Sequence, residues 1–256
     1  MHVLEAHDDA DTSTLFLHGG NVAGWMWTEQ VSGLPEHHCL VPDLPGFGAS
    51  ADLDWTSLAD VADRLAELVR RRARGGRAHI VGLSLGAVIG TVLTARHPDV
   101  VRSAMLTGAT LTGVTGATRT FGLLQLKVWE KRWYWAAQAR TFQMPADTVD
   151  VFIETGMGIR RATAEAMMRE LYDGVAASEL DGLRGVRMPI LALAGEREPR
   201  LAHNDLAELV SRSELVTARV VPGMHHAWNA ENPELFNAVM REWLLDGRVH
   251  PELLAP

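Results

Sequence analysis

Residues Gly82-Leu83-Ser84-Leu85-Gly86 constrain this chain more than any other stretch. They follow the apolar run Ala78-His79-Ile80-Val81 and precede a helical pattern from Leu85 to His97. Strand, sharp turn and helix in that order are what a nucleophile elbow requires. A serine on such a turn stands clear of the backbone, and glycines at both flanks remove the side chains that would collide there. The N–H after the serine faces the same space, where a developing oxyanion would sit. Five residues alone are also compatible with an ordinary strand-to-helix turn, so the remainder of the chain has to discriminate.

Short apolar runs alternate with helical patterns over most of the sequence. Thr14-Leu15-Phe16-Leu17 reads as a buried strand ending at His18-Gly19-Gly20-Asn21. Cys39-Leu40-Val41 is a second, followed by the turn-rich stretch Pro42 to Gly48. From Ser57 to Arg74, Leu58, Val61, Ala62, Leu65, Leu68 and Val69 recur at helical spacing, with Ser57 as N-cap and Gly75-Gly76 as the stop. Ser103 to Thr107, Ile190 to Ala194 and Ala218 to Val221 complete the strands, and Pro233 opens a final helix. Nearly all-apolar strands alternating with helices predict a mostly parallel sheet covered on both faces. The alternation breaks between about 111 and 185. Only helical patterns occur there: one over Thr120–Arg140, one near Thr148–Glu154 and one over Thr163–Leu180. The expected organisation is therefore a core of 1–110 and 186–256 with a helical cap inserted at 111–185.

Composition narrows the function classes. At 256 residues, 47% hydrophobic and 22% charged, the chain suits one α/β domain with an insertion. A net charge of -8 disfavours nucleic acid and anionic membranes as partners. The single cysteine, Cys39, lies in an apolar run and excludes an intramolecular disulfide framework. With no secretory pattern at the N-terminus and no bilayer-length apolar run, a cytoplasmic location is expected.

Three further segments converge on the expected carboxyl edge of the sheet, where open α/β sheets bind ligands. His18-Gly19-Gly20-Asn21 offers flexible backbone, with the Gly20 N–H as a second oxyanion donor beside that of Leu85. His225-His226 falls between a strand and the last helix. Adjacent side chains diverge and a third ligand is lacking, so a catalytic base is favoured over a metal site. Gly195-Glu196-Arg197-Glu198 places carboxylates between serine and histidine in chain order, as a Ser…acid…His arrangement needs.

With these pieces in place the sequence resembles the α/β-hydrolase superfamily over nearly its whole length. The resemblance rests on His18-Gly19-Gly20, Asp43-Leu44-Pro45-Gly46-Phe47-Gly48-Ala49-Ser50, Gly82-Leu83-Ser84-Leu85-Gly86, and His226 with Glu231 and Pro233. It implies the α/β-hydrolase fold, with Ser84 as nucleophile, His226 as base and no cofactor or metal. Where the family commonly has Asp, this chain has Glu198, with Glu196 as second candidate. Only 13 residues precede Thr14, room for one strand, so about seven strands are expected. A Ser at position 84 disfavours the epoxide hydrolases and haloalkane dehalogenases, which use Asp there. The activity implied is a carboxylesterase acting on a small or medium, largely apolar ester. The alternatives on the same residues are a lactonase, thioesterase, carbon–carbon bond hydrolase or cofactor-free perhydrolase, or a receptor without turnover. Trp129 and Trp133, four residues apart on one expected helix, are candidates to pack toward the core or line the acyl pocket. Asn21 and Trp228 are the other candidate substrate contacts, and Trp25, Met26 and Trp27 lie beside the same loops.

Overall fold

The structure is a computed structural model describing residues 1–142 and 144–256. A seven-stranded sheet forms its centre, in the order β1-β3-β2-β4-β5-β6-β7. These strands are β1 (Val3–Ala6), β2 (Thr12–Leu17), β3 (His37–Pro42), β4 (Ala78–Leu83), β5 (Val101–Thr107), β6 (Ile190–Gly195) and β7 (Val216–Val221). Only β1 runs antiparallel, pairing Val3 with Pro42 and Ala6 with Cys39. All other neighbours are parallel. The seven mostly parallel strands match the number and class read from the sequence.

The two-residue period of a strand distributes the core over both faces. Leu15 and Leu17 of β2 face one cluster, and Phe16 between them faces the other. The same division separates Ile80 from Val81, and Met105 from Ala104 and Leu106. On the first face lie α2 (Leu58–Arg72) and α3 (Leu85–Arg96), after the short α1 (Thr28–Ser32). Helix α2 starts at Ser57, whose hydroxyl accepts the Asp60 N–H at 3.0 Å. In α3 every residue from Leu85 to Thr94 is buried, which accounts for its apolar character all round.

Between β5 and β6 the chain makes α4 (Gly116–Leu124), α5 (Arg132–Thr141), α6 (Val149–Gly158), α7 (Arg161–Asp173) and α8 (Ala177–Asp181). The chain leaves and re-enters the sheet region at one place. Val175 N–H donates to the Leu111 carbonyl at 2.8 Å, and Val114 N–H to that of Tyr172 at 2.9 Å. Asp205 on α9 (Arg200–Arg212) is buried at the same junction and accepts the Leu111 and Thr112 N–H groups, at 2.8 and 3.3 Å. Further out, Glu170 of α7 accepts from Trp55 Nε1 and Leu58 N, at 3.0 and 2.8 Å, fastening the helices to the entry of α2.

The second face is closed by α10 (Trp228–Glu231) and α11 (Pro233–Asp246), the latter burying Phe236, Val239, Met240, Trp243 and Leu244. Proline at the first turn and the Asn232 side chain accepting the Leu235 N–H start α11. Cys39 is buried, and burial pushes its thiol up to about 12, so it behaves as an apolar side chain. Among the described residues, no helix is long and apolar enough to cross a membrane.

Helix α5 corrects one expectation. The pattern over Thr120–Arg140 is two helices, because the chain leaves helical geometry at Val128 and Lys131. Trp129 therefore falls in the break and Trp133 in the first turn of α5, so the four-residue relation between them does not apply.

Candidate active site

The carboxyl ends of the parallel strands gather the sequence candidates. Ser84 leaves β4 with φ 56° and ψ −119°, a left-handed conformation rare for a residue with a side chain. Its N–H donates to the Thr107 carbonyl at 2.9 Å, and its own carbonyl accepts from Ala87 and Val88 N–H, opening α3. The flanking glycines are sterically required. A Cβ on Gly82 would stand 2.5 Å from the Gly86 carbonyl oxygen, and one on Gly86 would overlap the Leu17 carbonyl. With Leu85 at the first position of α3, its N–H belongs to the unsatisfied donors at the positive end of the helix dipole.

His226 lies in the loop between β7 and α10. Its Nδ1 is 2.6 Å from Glu198 Oε2, while Glu198 Oε1 accepts the Gly195 N–H at 2.9 Å. The Glu198 side chain is 2% exposed and that of His226 38%, so a buried carboxylate holds an accessible imidazole. In this arrangement Nδ1 carries the proton and donates, leaving Nε2 as the free acceptor. The turn that carries Glu198 is closed by its N–H donating to the Gly195 carbonyl at 3.0 Å. Glu196 is directed elsewhere, accepting the Gly223 N–H at 2.6 Å. His225 diverges from its neighbour, pairing through Nδ1 with Glu231 Oε1 at 2.9 Å, while Glu231 Oε2 accepts the His225 N–H at 2.8 Å. Glu231 thereby braces the loop that carries His226.

Gly108 was not singled out from the sequence. It follows β5 with φ 66°, and a Cβ there would stand 2.8 Å from His226 Nδ1 and 3.3 Å from Glu198 Oε2. The absent side chain makes room for the imidazole–carboxylate pair. The only sequence signal was its position, a glycine directly after a strand at the carboxyl edge.

The Gly19–Asn21 loop is held from below. His18 is buried, and burial holds its imidazole well below the usual range, at about 4. As a neutral ring it donates from Nδ1 to the Gly19 carbonyl at 2.8 Å and accepts the Leu44 N–H at Nε2 at 2.9 Å. Asp43 ties the next turn, accepting from Gly24 and Ala49 N–H at 2.7 and 2.8 Å. The Asp43–Ser50 stretch thus fastens neighbouring loops to one another.

A pocket of about 310 Å³ unites these groups, lined by Gly20, Asn21, Ser84, Leu85 and His226 among others. From the segment between β5 and β6 it receives Trp129, Phe152, Met167 and Met168. A wider cleft of about 680 Å³ borders the other side of the imidazole, with Arg197, Glu198, His225 and Glu231 on its wall. Two aromatic candidates lie elsewhere. Trp133 is 62% exposed, turned outward by the break before α5. Trp228 is fully buried behind the site, donating from Nε1 to Thr107 Oγ1 at 2.9 Å and packing on Phe236 with ring centroids 4.3 Å apart. Trp129 does line the pocket, and Trp135 packs edge-on against it at 4.7 Å. Met26 also reaches the pocket, whereas Trp27 is buried in the second core cluster. Among the described residues, no group of three or more His, Cys, Asp or Glu side chains is gathered as a metal site would require.

Residues 14–239 match the alpha/beta hydrolase family. An AB hydrolase superfamily protein of Gibberella zeae is 29% identical over 257 residues, covering 94% of this chain and 83% of the relative. The (E)-2-((N-methylformamido)methylene)succinate hydrolase of Acinetobacter baylyi is 25% identical, covering 90% of this chain and 89% of its own. In three dimensions, the enol-lactonase of Burkholderia xenovorans LB400 superposes with a TM-score of 0.78 over 95% of both chains, at 16% identity. With the match running from the first parallel strand into the last helix, this chain belongs to the α/β hydrolase family.

Proposed function

We propose that the protein is a serine hydrolase that cleaves a small or medium, largely apolar carboxylic ester through Ser84, His226 and Glu198. The observation that carries this is the 2.6 Å bond from His226 to the buried Glu198, beside a serine strained into an elbow on the same pocket. His226 Nε2 takes the proton of Ser84 as Oγ attacks the carbonyl carbon, and Glu198 holds the tautomer and stabilises the imidazolium. The N–H groups of Leu85 and Gly20 receive the oxyanion, each such donor typically lowering the barrier by about 3 kcal/mol. Collapse expels the alcohol with the proton from His226. Water, deprotonated by the same imidazole, then attacks the acyl-enzyme, and Ser84 leaves with that proton. No step calls for a metal or organic cofactor.

In this proposal residues 111–185 act as a cap over the core of 1–110 and 186–256, and choose the substrate. The apolar lining by Trp129, Phe152, Met167 and Met168 suits an acyl chain, and the cleft on the far side of His226 is the exit for the alcohol. Lactones, thioesters and activated carbon–carbon substrates would pass through the same acyl-enzyme chemistry and belong in the same assay. The test treats wild type and Ser84→Ala with a fluorophosphonate and assays both on p-nitrophenyl esters of increasing chain length. Labelling and turnover in wild type alone are expected. An unlabelled wild type, or a mutant as active as its parent, would sink the proposal.

A further inference from the structure

Along its helical wall the pocket is apolar or aromatic apart from the Tyr172 hydroxyl and one cluster of three polar side chains. Gln125, on the turn after α4, and Tyr134 and Gln138, on α5, all line it. The Tyr134 hydroxyl donates to Gln125 Oε1 at 2.7 Å, and Gln138 Nε2 donates to the same oxygen at 3.1 Å. Tyr134 is buried, and burial pushes its phenol up to about 12, so it remains a donor at every working pH.

Both lone pairs of that oxygen are thereby engaged. What Gln125 still has to offer a guest is its amide N–H pair. An acyl chain of methylenes laid along this wall would displace water from those donors and return nothing. A carbonyl at the same depth would replace the water. Pockets of this type, apolar with a few placed polar groups, fix the orientation of what they bind. Sites built to hydrogen-bond a substrate also discriminate against analogues lacking the partner atom.

We propose that Gln125, held by Tyr134 and Gln138, is a specificity subsite for a carbonyl oxygen, of a ketone or amide, carried on the acyl chain of the substrate. The proposal rests on the serine-hydrolase reading for which end of the substrate enters this pocket. It concerns the acyl chain itself, away from the bond that breaks.

The test compares p-nitrophenyl esters bearing an oxo group at C4, C5 or C6 with unsubstituted esters of the same length, on the full chain. At one or more positions the oxo ester should have the higher kcat/KM, by about 2- to 10-fold, the size of one net hydrogen bond. In Gln125→Met the ratio of oxo to plain ester, taken within that protein, should fall to one or below. A general loss of activity cancels from such a ratio, and the wild-type comparison needs no variant. Equal rates at all three positions in wild type would overturn the subsite and reduce the cluster to a fastening between turn and helix. A preference for the corresponding hydroxy esters over the oxo esters would also overturn it. Calorimetry of Ser84→Ala with oxo-acyl and plain acyl amides reads the same discrimination without turnover. A protein that cleaves no ester yet binds the oxo amide more tightly would sink the proposed activity and keep the subsite. Equal affinity for both amides would sink the subsite.

Discussion

Both edges of the central sheet carry histidines, and their surroundings are opposite. At the carboxyl edge His226 is accessible, and a buried carboxylate bonds its Nδ1. At the amino edge His37 and His79 stack with ring centroids 5.3 Å apart, bonded to hydroxyls of Thr14 and Ser103 at 2.7 Å each. Burial lowers both rings from their ordinary range, His79 to about 4, and the Arg102 guanidinium adds to the effect. Next to them His38 bonds Ser13 and Glu5. A hydroxyl satisfies a neutral imidazole, whereas a carboxylate favours the cation that forms when the ring accepts a proton. His37 and His79 are thus held neutral by burial among hydroxyls, whereas His226 pairs with a buried carboxylate, and residue type alone does not distinguish the two settings.

The sharpest way to break this contrast is to remove the serine. Ser84→Ala should lower kcat for ester hydrolysis by about 10⁴- to 10⁶-fold in steady-state assays, with thermal stability close to that of wild type, because alanine keeps the Cβ and with it the strain of the elbow. Glu198→Gln comes next. The amide no longer stabilises the imidazolium, and kcat/KM should drop by about 10²- to 10⁴-fold. Intact activity would move the acid elsewhere. Gly108→Ala sharpens the comparison without touching a reacting group. Its methyl displaces His226, so kcat should fall about 10- to 100-fold while KM changes little.

The smallest effect belongs to the amino edge and should appear in stability alone. His79 titrates lower in the fold than in the unfolded chain, so between about pH 6.5 and 4 the unfolded state binds more protons. Stability conferred by the neutral ring is complete above that window and declines as pH falls through it. Denaturant unfolding of wild type should therefore lose on the order of 1–2 kcal/mol through the His79 ring between pH 7 and 5. In His79→Gln part of that slope should vanish, with kcat at pH 8 unaltered. If the slope persists unchanged, the amino edge is not what titrates.

Periodicity and turn chemistry carried most of the sheet and the serine loop, because those signals are local. The strand at β4, the Ser57 cap and the Pro233 start all reflect interactions within a few residues. The helices from 116 onward were less legible. No glycine or proline marks the break at 128–131, where Val, Trp, Glu and Lys all tolerate a helix. Distant partners set it: Trp129 Nε1 donates to the Ile159 carbonyl at 3.1 Å, and Trp135 Nε1 to the Trp129 carbonyl at 2.7 Å. Trp228 is likewise placed by a partner far away in the chain. Its acceptor, Thr107 Oγ1, lies 121 positions away, and only the assembled fold brings the two together. Glu198, placed first by its position three residues after Gly195, is the carboxylate that bonds His226, while Glu196 bonds the Gly223 N–H.

The bonds between Leu111 and Val175 and between Val114 and Tyr172 make a single doorway through which the chain enters and leaves its helical excursion. Beyond that doorway the segment touches the rest of the chain at the pocket wall, through Glu170, and where Glu179 of α8 accepts from Arg96 of α3 at 2.9 Å. The serine loop and the imidazole loop are rooted on the other side. A segment of another length, joined at those four residues, is expected to change the pocket wall and leave the loops of Ser84 and His226 where they stand.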